Sequence, residues 1–587
     1  MTRFLRSIRP LFRWVGAIPA GVVCLTALVT VVSAWSGPRP KAPETGSPRQ
    51  ANRALQGKLP ITELNEDEAI LHALNRLGFG PRPGEVDEIK KSGLESWIQQ
   101  QLHPETLDDR EAEGRLAAYP ALRLSAAALL REYAPPDVAA KRMGVSVEEY
   151  RTRMNALAHP AQGVRPPPST DQQEIVDEIM SAKLLRAIYS PRQLQEQLAD
   201  FWFNHFNVFI FKDTDRWYLI PYERDAIRPR VLGKFRDLLG ATAKSPAMLF
   251  YLDNSVSADP ASFDRLKTHP IKASKSRNLP SLGGRRGLNE NYGRELLELH
   301  TLGADGGYTQ QDVIEVAKAF TGWTIKSPRE NPEFYFDERL HDPGTRRILG
   351  KKIHAVGMKD GERVLDLLVK DPHTAHHIAL QLAQRFVSDD PPEPLVERMA
   401  KTFAASKGDI RAVMATMIYS PEFWSRAAYR AKIKTPFELV ASTARALGAD
   451  VDQPLPMIGW VSRMGEPLYQ CLTPNGYSSK GSAWISTGSL LNRLNFAIAL
   501  AGNKIRGAQV ELNPLVGADA NVNPQLALQR IVGDFLAGQL SKPTQAKLDE
   551  EMSDPLVRGA KLDDPVRQVN LGLIAGLVLG SPEFQQR

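Results

Sequence analysis

The segment from Asn289 to Gly303 carries carboxylates where a helix normally buries apolar side chains. Its apolar residues at helical spacing are Tyr292, Leu296, Leu299 and Leu302. At about 100° per residue they form one arc of a helix surface, and Glu295 falls about 40° from its centre. A carboxylate on the buried side of a helix costs free energy unless it is paired or bound to a cation. We therefore predict that Glu295, with Glu298 beside it, is a general acid or base or a metal ligand; the alternative is a buried ion pair with an arginine of another helix.

A histidine on a second predicted helix, which starts at Ser190, is the other candidate for chemistry. The core face of this helix runs through Leu194, Leu198, Phe201 and Trp202, and His205 continues it. An imidazole in this position is either a base or ligand or a hydrogen-bonded core residue. We predict His205, Glu295 and Glu298 as catalytic residues. For a divalent metal ion, the predicted ligands are His205, Glu295 and His300.

Amides and cations flank both helices and are predicted to bind substrate. The predicted binding residues are Asn204, Asn207, Asn291, Arg294, Arg285 and Arg286. The last two belong to a basic loop, residues 265–289, which has seven Lys and Arg and no acid. It leads into a helix N-terminus, which favours negative charge. We predict that it attracts an anionic envelope polymer; the alternative is a solvated surface loop.

Two other polar motifs each have a structural and a functional interpretation. The tetrapeptide from His341 to Gly344 has the residues of a turn; the alternative is that His341 and Asp342 face a cleft. We predict that His373, His376 and His377 lie on a solvated helix face; the alternative, which their spacing permits, is a helical two-histidine site. The sequence contains no HExxH motif, nucleophile elbow, EF-hand loop or Gly-rich phosphate loop. Several common enzyme classes are thereby disfavoured.

The N-terminus has the pattern of an export signal. Four arginines precede an uncharged stretch from Trp14 to Trp35, and no acid occurs before Glu44. We predict a signal peptide or signal anchor over residues 1–35, a flexible tether over 36–62 and a helical domain over 63–587. The protein would then lie on the periplasmic side of the cell envelope, anchored through this segment or released by cleavage.

Charge and cysteine content narrow the function further. The net charge is +7, and removing the four N-terminal arginines leaves +3, which is too weak to indicate nucleic-acid binding. Of the two cysteines, Cys24 lies in the apolar segment and Cys471 is alone in the predicted exported domain. We therefore expect neither an intrachain disulfide nor a cysteine-based zinc site there.

Helix-capping residues recur along the domain and predict a mainly α fold. The capping positions are Asn65, Ser190, Thr309, Asp371 and Thr435. Strand signals are few. Residues 334–336 and 347–353, joined through the His341–Gly344 turn, predict one small β-hairpin. We predict a large multi-helix globular domain; the alternative is two helical subdomains divided at the basic loop.

Eight strings resemble a known bacterial family. They are RLGFGP at Arg76, FWFNHF at Phe201, PAMLFYLDN at Pro246, NENYGRELLELHTLG at Asn289, GGYTQQDV at Gly306, TGW at Thr321, HDPG at His341 and SPEF at Ser581. They resemble the domain of unknown function 1800 family over nearly the whole predicted domain. The resemblance implies an exported bacterial protein, often encoded beside a second exported family that is similar to the alkaline-phosphatase superfamily. Members often have a second histidine where this chain has Phe203.

Two functional classes follow. The first is an envelope enzyme, most plausibly a hydrolase, that uses the His/Glu/Asn cluster around a metal ion or an activated water. The second is a non-catalytic helical scaffold that assists the co-encoded exported protein. The carboxylate on the buried side of its helix favours the enzyme, and the lack of a nucleophile motif favours the scaffold.

Overall fold

The computed structural model describes residues 53–54, 57–158, 172–262, 287–354, 356–559 and 569–587. The predicted apolar segment, residues 1–35, lies outside the described residues, as do Arg285 and Arg286 of the basic loop. Among the residues that are described, no helix is long and apolar enough to cross a bilayer. The predictions for the N-terminal segment and for the basic loop therefore stay predictions.

The described chain is mainly α-helical, as predicted. Its 26 α-helices are α1 Glu66–Leu77, α2 Glu85–Ser92, α3 Leu94–Leu102, α4 Arg110–Leu116, α5 Ala126–Glu132, α6 Pro136–Met143, α7 Val147–Ala158, α8 Gln172–Tyr189, α9 Gln193–His205, α10 Asp215–Pro221, α11 Phe235–Ala243, α12 Pro246–Tyr251, α13 Glu290–Glu298, α14 Gln310–Ala319, α15 Lys359–Val369, α16 Pro372–Phe386, α17 Glu393–Ala405, α18 Ile410–Ile418, α19 Pro436–Ala446, α20 Leu455–Arg463, α21 Thr487–Ala501, α22 Asn513–Val516, α23 Pro524–Leu536, α24 Lys542–Glu551, α25 Leu571–Leu579 and α26 Pro582–Gln585. Short 3-10 turns and one π-helical segment, Tyr222–Ile227, connect some of them.

The predicted caps begin four of these helices. Asn65, Thr309 and Thr435 each form a complete capping box, and the Asp371 side chain accepts a hydrogen bond from the His373 N–H. The fifth prediction is displaced by two residues. The Ser190 hydroxyl accepts from the backbone N–H of residue 192, and α9 begins at Gln193.

The strands form four two-stranded antiparallel pairs. They are β1 Arg53–Ala54 with β2 Ile61–Thr62, β3 Trp323–Lys326 with β4 Glu333–Phe336, β5 Arg346–Ile348 with β6 Lys351–Ile353, and β7 Asp450–Val451 with β8 Ala508–Gln509. The small hairpin is therefore present, but the predicted pairing of 334–336 with 347–353 is wrong. Residues 333–336 pair instead with residues 323–326, which precede them in the chain and include the buried Trp323 and Ile325. Leu349 and Gly350 both have positive φ, 48° and 74°, so the chain turns there and residues 346–353 close on themselves.

One apolar core joins the described segments. It extends from Leu59 to Phe584 and includes residues on both sides of the basic loop. The described residues therefore do not divide into two subdomains at that loop. The end of the predicted tether packs on the rest of the described chain, because Leu59 is buried and the Thr62 hydroxyl donates to the Trp424 carbonyl at 2.6 Å.

Candidate active site

A cleft of about 170 Å³ lies between helices α8, α9 and α16 and the loop that follows α20. Five of the side chains that line it can carry charge: Lys183, Asp200, His205, Arg385 and Glu466. All five are buried or nearly so, which makes their partners and protonation states the main question. Perturbed ionisable groups in a cleft are candidates for chemistry.

Helical spacing brings four of these side chains together. Asp200 and His205 lie five residues apart at the C-terminal end of α9, and Lys183 comes from the neighbouring α8. Arg385 lies one helical turn after Gln381 on α16, and both line the cleft. Side chains four residues apart share a helix face, so α16 presents an amide and a guanidinium side by side.

Asp200 is held as a carboxylate between two cations. Its oxygens lie 2.6 Å from Lys183 Nζ and 2.9 Å from Arg385 Nη2. Burial by itself raises the pKa of Asp200, but the charges of Lys183 and Arg385 outweigh it and lower that pKa below the usual value. Arg385 also pairs with Glu438 at 2.9 Å, behind the cleft. The wall is therefore a buried ion network, in which Glu438 also pairs with the buried Arg587 at 2.9 Å.

Glu466 is the acid of the cleft whose pKa lies near neutral pH. Burial, and then the negative charge of Asp200, raise the pKa of Glu466 from 4.5 to about 7. Its Oε2 accepts the Phe437 N–H at 2.8 Å. Two residues with positive φ lie on either side of Glu466 in the loop, Gly465 at φ 104° and Tyr469 at φ 61°. A non-glycine residue in that conformation costs about 1–2 kcal/mol, which the surrounding contacts must offset.

Tyr469 is one part of an aromatic cage around Lys183. The Nζ atom lies 4.9 Å from the Tyr469 ring centroid, 5.3 Å from that of Phe437 and 5.5 Å from that of Phe203. The Tyr469 hydroxyl donates to Glu223 at 2.6 Å, which fixes the ring. The cage holds Lys183 against Asp200 in a largely buried setting.

His205 is a neutral, hydrogen-bonded imidazole. Nε2 lies 3.2 Å from the carbonyl oxygen of His300, and Nδ1 lies 2.7 Å from Gln381 Oε1. Both partners are acceptors, so a neutral ring donates to only one of them. The Gln381 amide nitrogen contacts His377 Nε2 at 2.9 Å. Burial, and then the neighbouring His377, lower the pKa of His205 to about 4 despite these hydrogen bonds. The His205 ring is part of the cleft wall and stays uncharged at neutral pH.

Helix α13, which carries the predicted catalytic carboxylates Glu295 and Glu298, does not line the cleft. α13 ends at Glu298, so Leu299 and Leu302 leave the predicted arc; Leu299 lines the cleft and the next residue contacts His205. Glu295 is only half-buried. Burial, and then the charge of Glu298, raise its pKa. Neither carboxylate is among the residues that line the cleft.

The two other predicted binding residues of α13 also have surface partners. The Arg294 guanidinium donates to Gln310 at 2.9 Å and lies 4.0 Å from Glu290, and Asn291 is exposed. Arg294 and Asn291 thus belong to the surface formed by α13 and α14. The helix ends early because the chain closes a wider turn, in which the His300 N–H donates to the Glu295 carbonyl.

The three predicted metal ligands do not assemble into a site. The His205 and His300 rings lie 6.1 Å apart between centroids, and burial lowers the pKa of His300 to about 3. Within the described ranges, no group of three or more His, Cys, Asp or Glu side chains is arranged to hold a metal ion. The ligand set of His205, Glu295 and His300 therefore has no support from the geometry.

The predicted asparagines hold the loop over the cleft. Asn204 exchanges two hydrogen bonds with the Tyr477 backbone, at 2.9 Å and 2.7 Å. Asn207 donates to the carbonyls of Cys471 and Thr473, at 2.9 Å and 2.8 Å. Both side chains line the cleft, but these amide contacts are with the chain itself. They position the segment that carries Tyr477.

The two remaining histidine motifs are the His341–Gly344 turn and the three histidines of α16, and all of their histidines except His377 lie away from the Gln381 side chain of the cleft. His341 is buried, with Nε2 3.3 Å from Asp360, which also pairs with the buried Arg346. His373 and His376 lie on the exposed face of α16 as predicted. His377 does not, because it contacts Gln381 and the Leu299 carbonyl.

Residues 72–586 match the profile of a family described as protein of unknown function (DUF1800). The chain belongs to this DUF1800 family. The match covers nearly the whole chain, so the resemblance noted in the sequence motifs is confirmed. No curated protein and no solved structure matches the sequence at a significant level.

The departure at Phe203 has a clear structural meaning in this DUF1800 protein. Phe203 packs edge-on against Tyr469, with ring centroids 4.8 Å apart, and forms one side of the Lys183 cage. A histidine there would place a second polar ring beside a buried cation. In this chain the position serves packing and cation–π contact.

Sequence reasoning missed the two carboxylates that matter most. Asp200 was detectable, because it stands four and five residues before Asn204 and His205 on one helix, among aromatic residues. Glu466 has no sequence signal. It lies in a loop, and only the packing of that loop against α19 buries it.

Proposed function

We propose that this cleft is the active site of a hydrolase in which Glu466 transfers the proton. The observation that supports the proposal is the pair of carboxylates in one cleft, with pKa values displaced in opposite directions. Such divergence separates an acid from a permanent anion. The catalytic pair is then Glu466 with Asp200 as its electrostatic partner, in place of the predicted Glu295 and Glu298.

Each side chain has a role that its environment permits. Protonated Glu466 donates to the leaving atom of the substrate as the bond between that atom and the electrophilic carbon or phosphorus breaks. Water then bonds to the electrophilic atom and returns a proton to the Glu466 carboxylate. Asp200 stays ionised, and burial together with the Asp200 charge raises the pKa of Glu466 to about 7, so that Glu466 is largely protonated below pH 7. Lys183 and Arg385 hold Asp200 in its ionised form. The neutral His205 and Gln381 orient the substrate.

A panel of chromogenic substrates tests this proposal: esters, glycosides, amides and phosphate esters. We expect Glu466→Gln to lower kcat/KM for the active class by about 10²–10⁴-fold. Glu397→Gln, which alters an exposed position on α17, is the matched control and should retain activity. Hydrolysis by wild type should also show a limb in its pH profile near pH 7. Wild-type activity in a folded Glu466→Gln variant would overturn the role of Glu466. If wild type hydrolyses none of these substrate classes, the non-catalytic scaffold for a co-encoded exported partner is favoured.

We further propose that the domain acts outside the cytoplasm, because the four arginines and the uncharged stretch have the pattern of an export signal. A reporter that is active only after export, fused after residue 62, tests this. An active reporter is expected. Reporter activity that is unchanged by replacing the four arginines with glutamates would contradict an orientation set by those arginines.

A further inference from the structure

The charged groups inside the cleft are paired with one another. Asp200 contacts both Lys183 and Arg385, and Arg385 contacts Glu438 behind the wall. Burial together with Asp200 keeps Glu466 largely protonated below pH 7. An anionic ligand would therefore approach Asp200, and a cationic ligand would approach Lys183 and Arg385, without a free countercharge. The electrostatics favour an uncharged ligand.

The outer wall presents aromatic rings. Tyr477 and Trp484 both line the cleft, with centroids 5.9 Å apart and planes at 60°. Their polar tips are already bound to backbone: the Tyr477 hydroxyl donates to Pro467 at 2.8 Å and the Trp484 N–H to Ser478 at 3.1 Å. The rings themselves are thus what these residues offer to a ligand. Tyr477 is only half-buried, so its ring remains reachable.

Neutral hydrogen-bonding groups complete the lining. Gln384 belongs to the wall, and Asn475, Ser478 and Ser479 form an exposed rim. Amides and hydroxyls both donate and accept, which suits a ligand with many hydroxyl groups. Aromatic faces suit a ligand that also has a flat surface of C–H bonds. A pyranose ring has both properties.

We infer that the cleft takes one neutral sugar unit of an uncharged polysaccharide, a conclusion that rests on the proposed hydrolase function of the same site. A volume of about 170 Å³ suits a single ring and excludes a bulky chain. The reaction is cleavage of the glycosidic C–O bond. The Glu466 proton goes to the leaving oxygen, the oxygen of water bonds to the anomeric carbon, and the proton released from water restores Glu466.

A second groove, lined in part by residues that follow those of the cleft in the chain, provides room for the rest of such a polymer. It has a volume of about 870 Å³, and its lining includes Val387, Ser388 and Asp389 as well as Lys480, Ser482 and Ile485. Its walls continue the same segments that line the cleft, since Arg385 and Ser479 precede them in the chain. Asp389 fastens the shared segment by accepting the Gly481 N–H at 2.9 Å and pairing with Lys432.

Affinity electrophoresis of the full chain in gels containing neutral polymers (dextran, amylose, laminarin) or charged ones (alginate, polygalacturonate) tests the inference. We expect retardation by at least one neutral polymer. Tyr477→Ala should weaken it about tenfold, through loss of the ring face, while Tyr477→Phe keeps it. Glu466→Gln should still bind. Thermal unfolding confirms that each variant is folded.

The release of reducing ends separates this inference from the proposed function. Neutral-polymer binding that depends on the Tyr477 ring, without release of reducing ends by wild type, supports the sugar site and contradicts the hydrolase. Glu466-dependent hydrolysis of an ester or amide, with no binding of neutral polymers, supports the hydrolase and overturns the sugar site. Retardation by charged polymers alone, or binding unchanged in Tyr477→Ala, also overturns the sugar site.

Discussion

Replacing Glu466 by glutamine should change how the stability of the protein depends on pH. Burial and the charge of Asp200 raise the pKa of Glu466 from 4.5 to about 7 in the folded protein. Between these two values the unfolded chain loses the proton and the folded chain keeps it. The free energy of unfolding therefore falls as pH rises, because ionisation stabilises only the unfolded state.

The size of the effect follows from the shift. Each pH unit between 4.5 and 7 removes about 1.4 kcal/mol from the free energy of unfolding, and the total loss is about 3 kcal/mol. The stability contributed by protonated Glu466 is fully present below pH 4.5 and is lost as pH rises through 7. Glutamine can still accept the Phe437 N–H and does not titrate, so the variant lacks this component.

Urea unfolding of wild type and Glu466→Gln at half-unit steps from pH 4.5 to 8 measures the difference. We expect the variant to gain about 3 kcal/mol relative to wild type across this range. Glu397→Gln, at an exposed position, should show no such divergence. If the difference between wild type and Glu466→Gln stays constant with pH, Glu466 ionises normally and the proposed proton donor is lost.

Three further predictions concern the framework of the cleft. Arg385→Met removes one of the two cations of each of two buried carboxylates, since Asp200 keeps Lys183 and Glu438 keeps Arg587, and should cost about 3 kcal/mol in urea unfolding. Arg398→Met, which breaks an exposed ion pair, should cost at most about 1 kcal/mol, and equal losses would contradict the buried network. Gly476→Ala should lower Tm more than Gly307→Ala. The backbone conformation is similar at the two positions, with φ of 69° and 71°, but only the Cβ added at Gly476 would meet a carbonyl oxygen, at 2.4 Å. Similar decreases in Tm would refute that contact. His205 should show no NMR titration between pH 6 and 8, because burial lowers its pKa from 6.5 to about 4. Its contribution to the free energy of unfolding is present above pH 6.5 and should be lost as pH falls through 4. A titration midpoint above about pH 6 would contradict the neutral ring.

Local chemistry determined much of the helical fold in advance. Asn65, Thr309 and Thr435 form capping boxes, because a side-chain oxygen three residues before an acid satisfies the same backbone groups in any tertiary setting. The hairpin pairing was not predictable in this way. Strand partners depend on which apolar face finds the core, and Trp323 rather than Arg347 supplied it.

The candidate site was also predictable only in part. Its helical part was within reach of sequence, since His205 and Asn204 stand on the face that the spacing predicted to be buried. The spacing of α13 also indicated a buried carboxylate at Glu295, but the helix ends at Glu298 and that side chain stays half-exposed. Helix length depends on what the last turn packs against, which spacing does not encode.

The sequence by itself determined the family, the mainly helical class and the residues that cap the helices, because these depend on motifs and on interactions within a few residues. Only the tertiary structure decided which acid has a displaced pKa. Burial and the distance to other charges set that value, and both arise when the loop of Glu466 closes on α19 beside Asp200 and Arg385, which are distant in the chain.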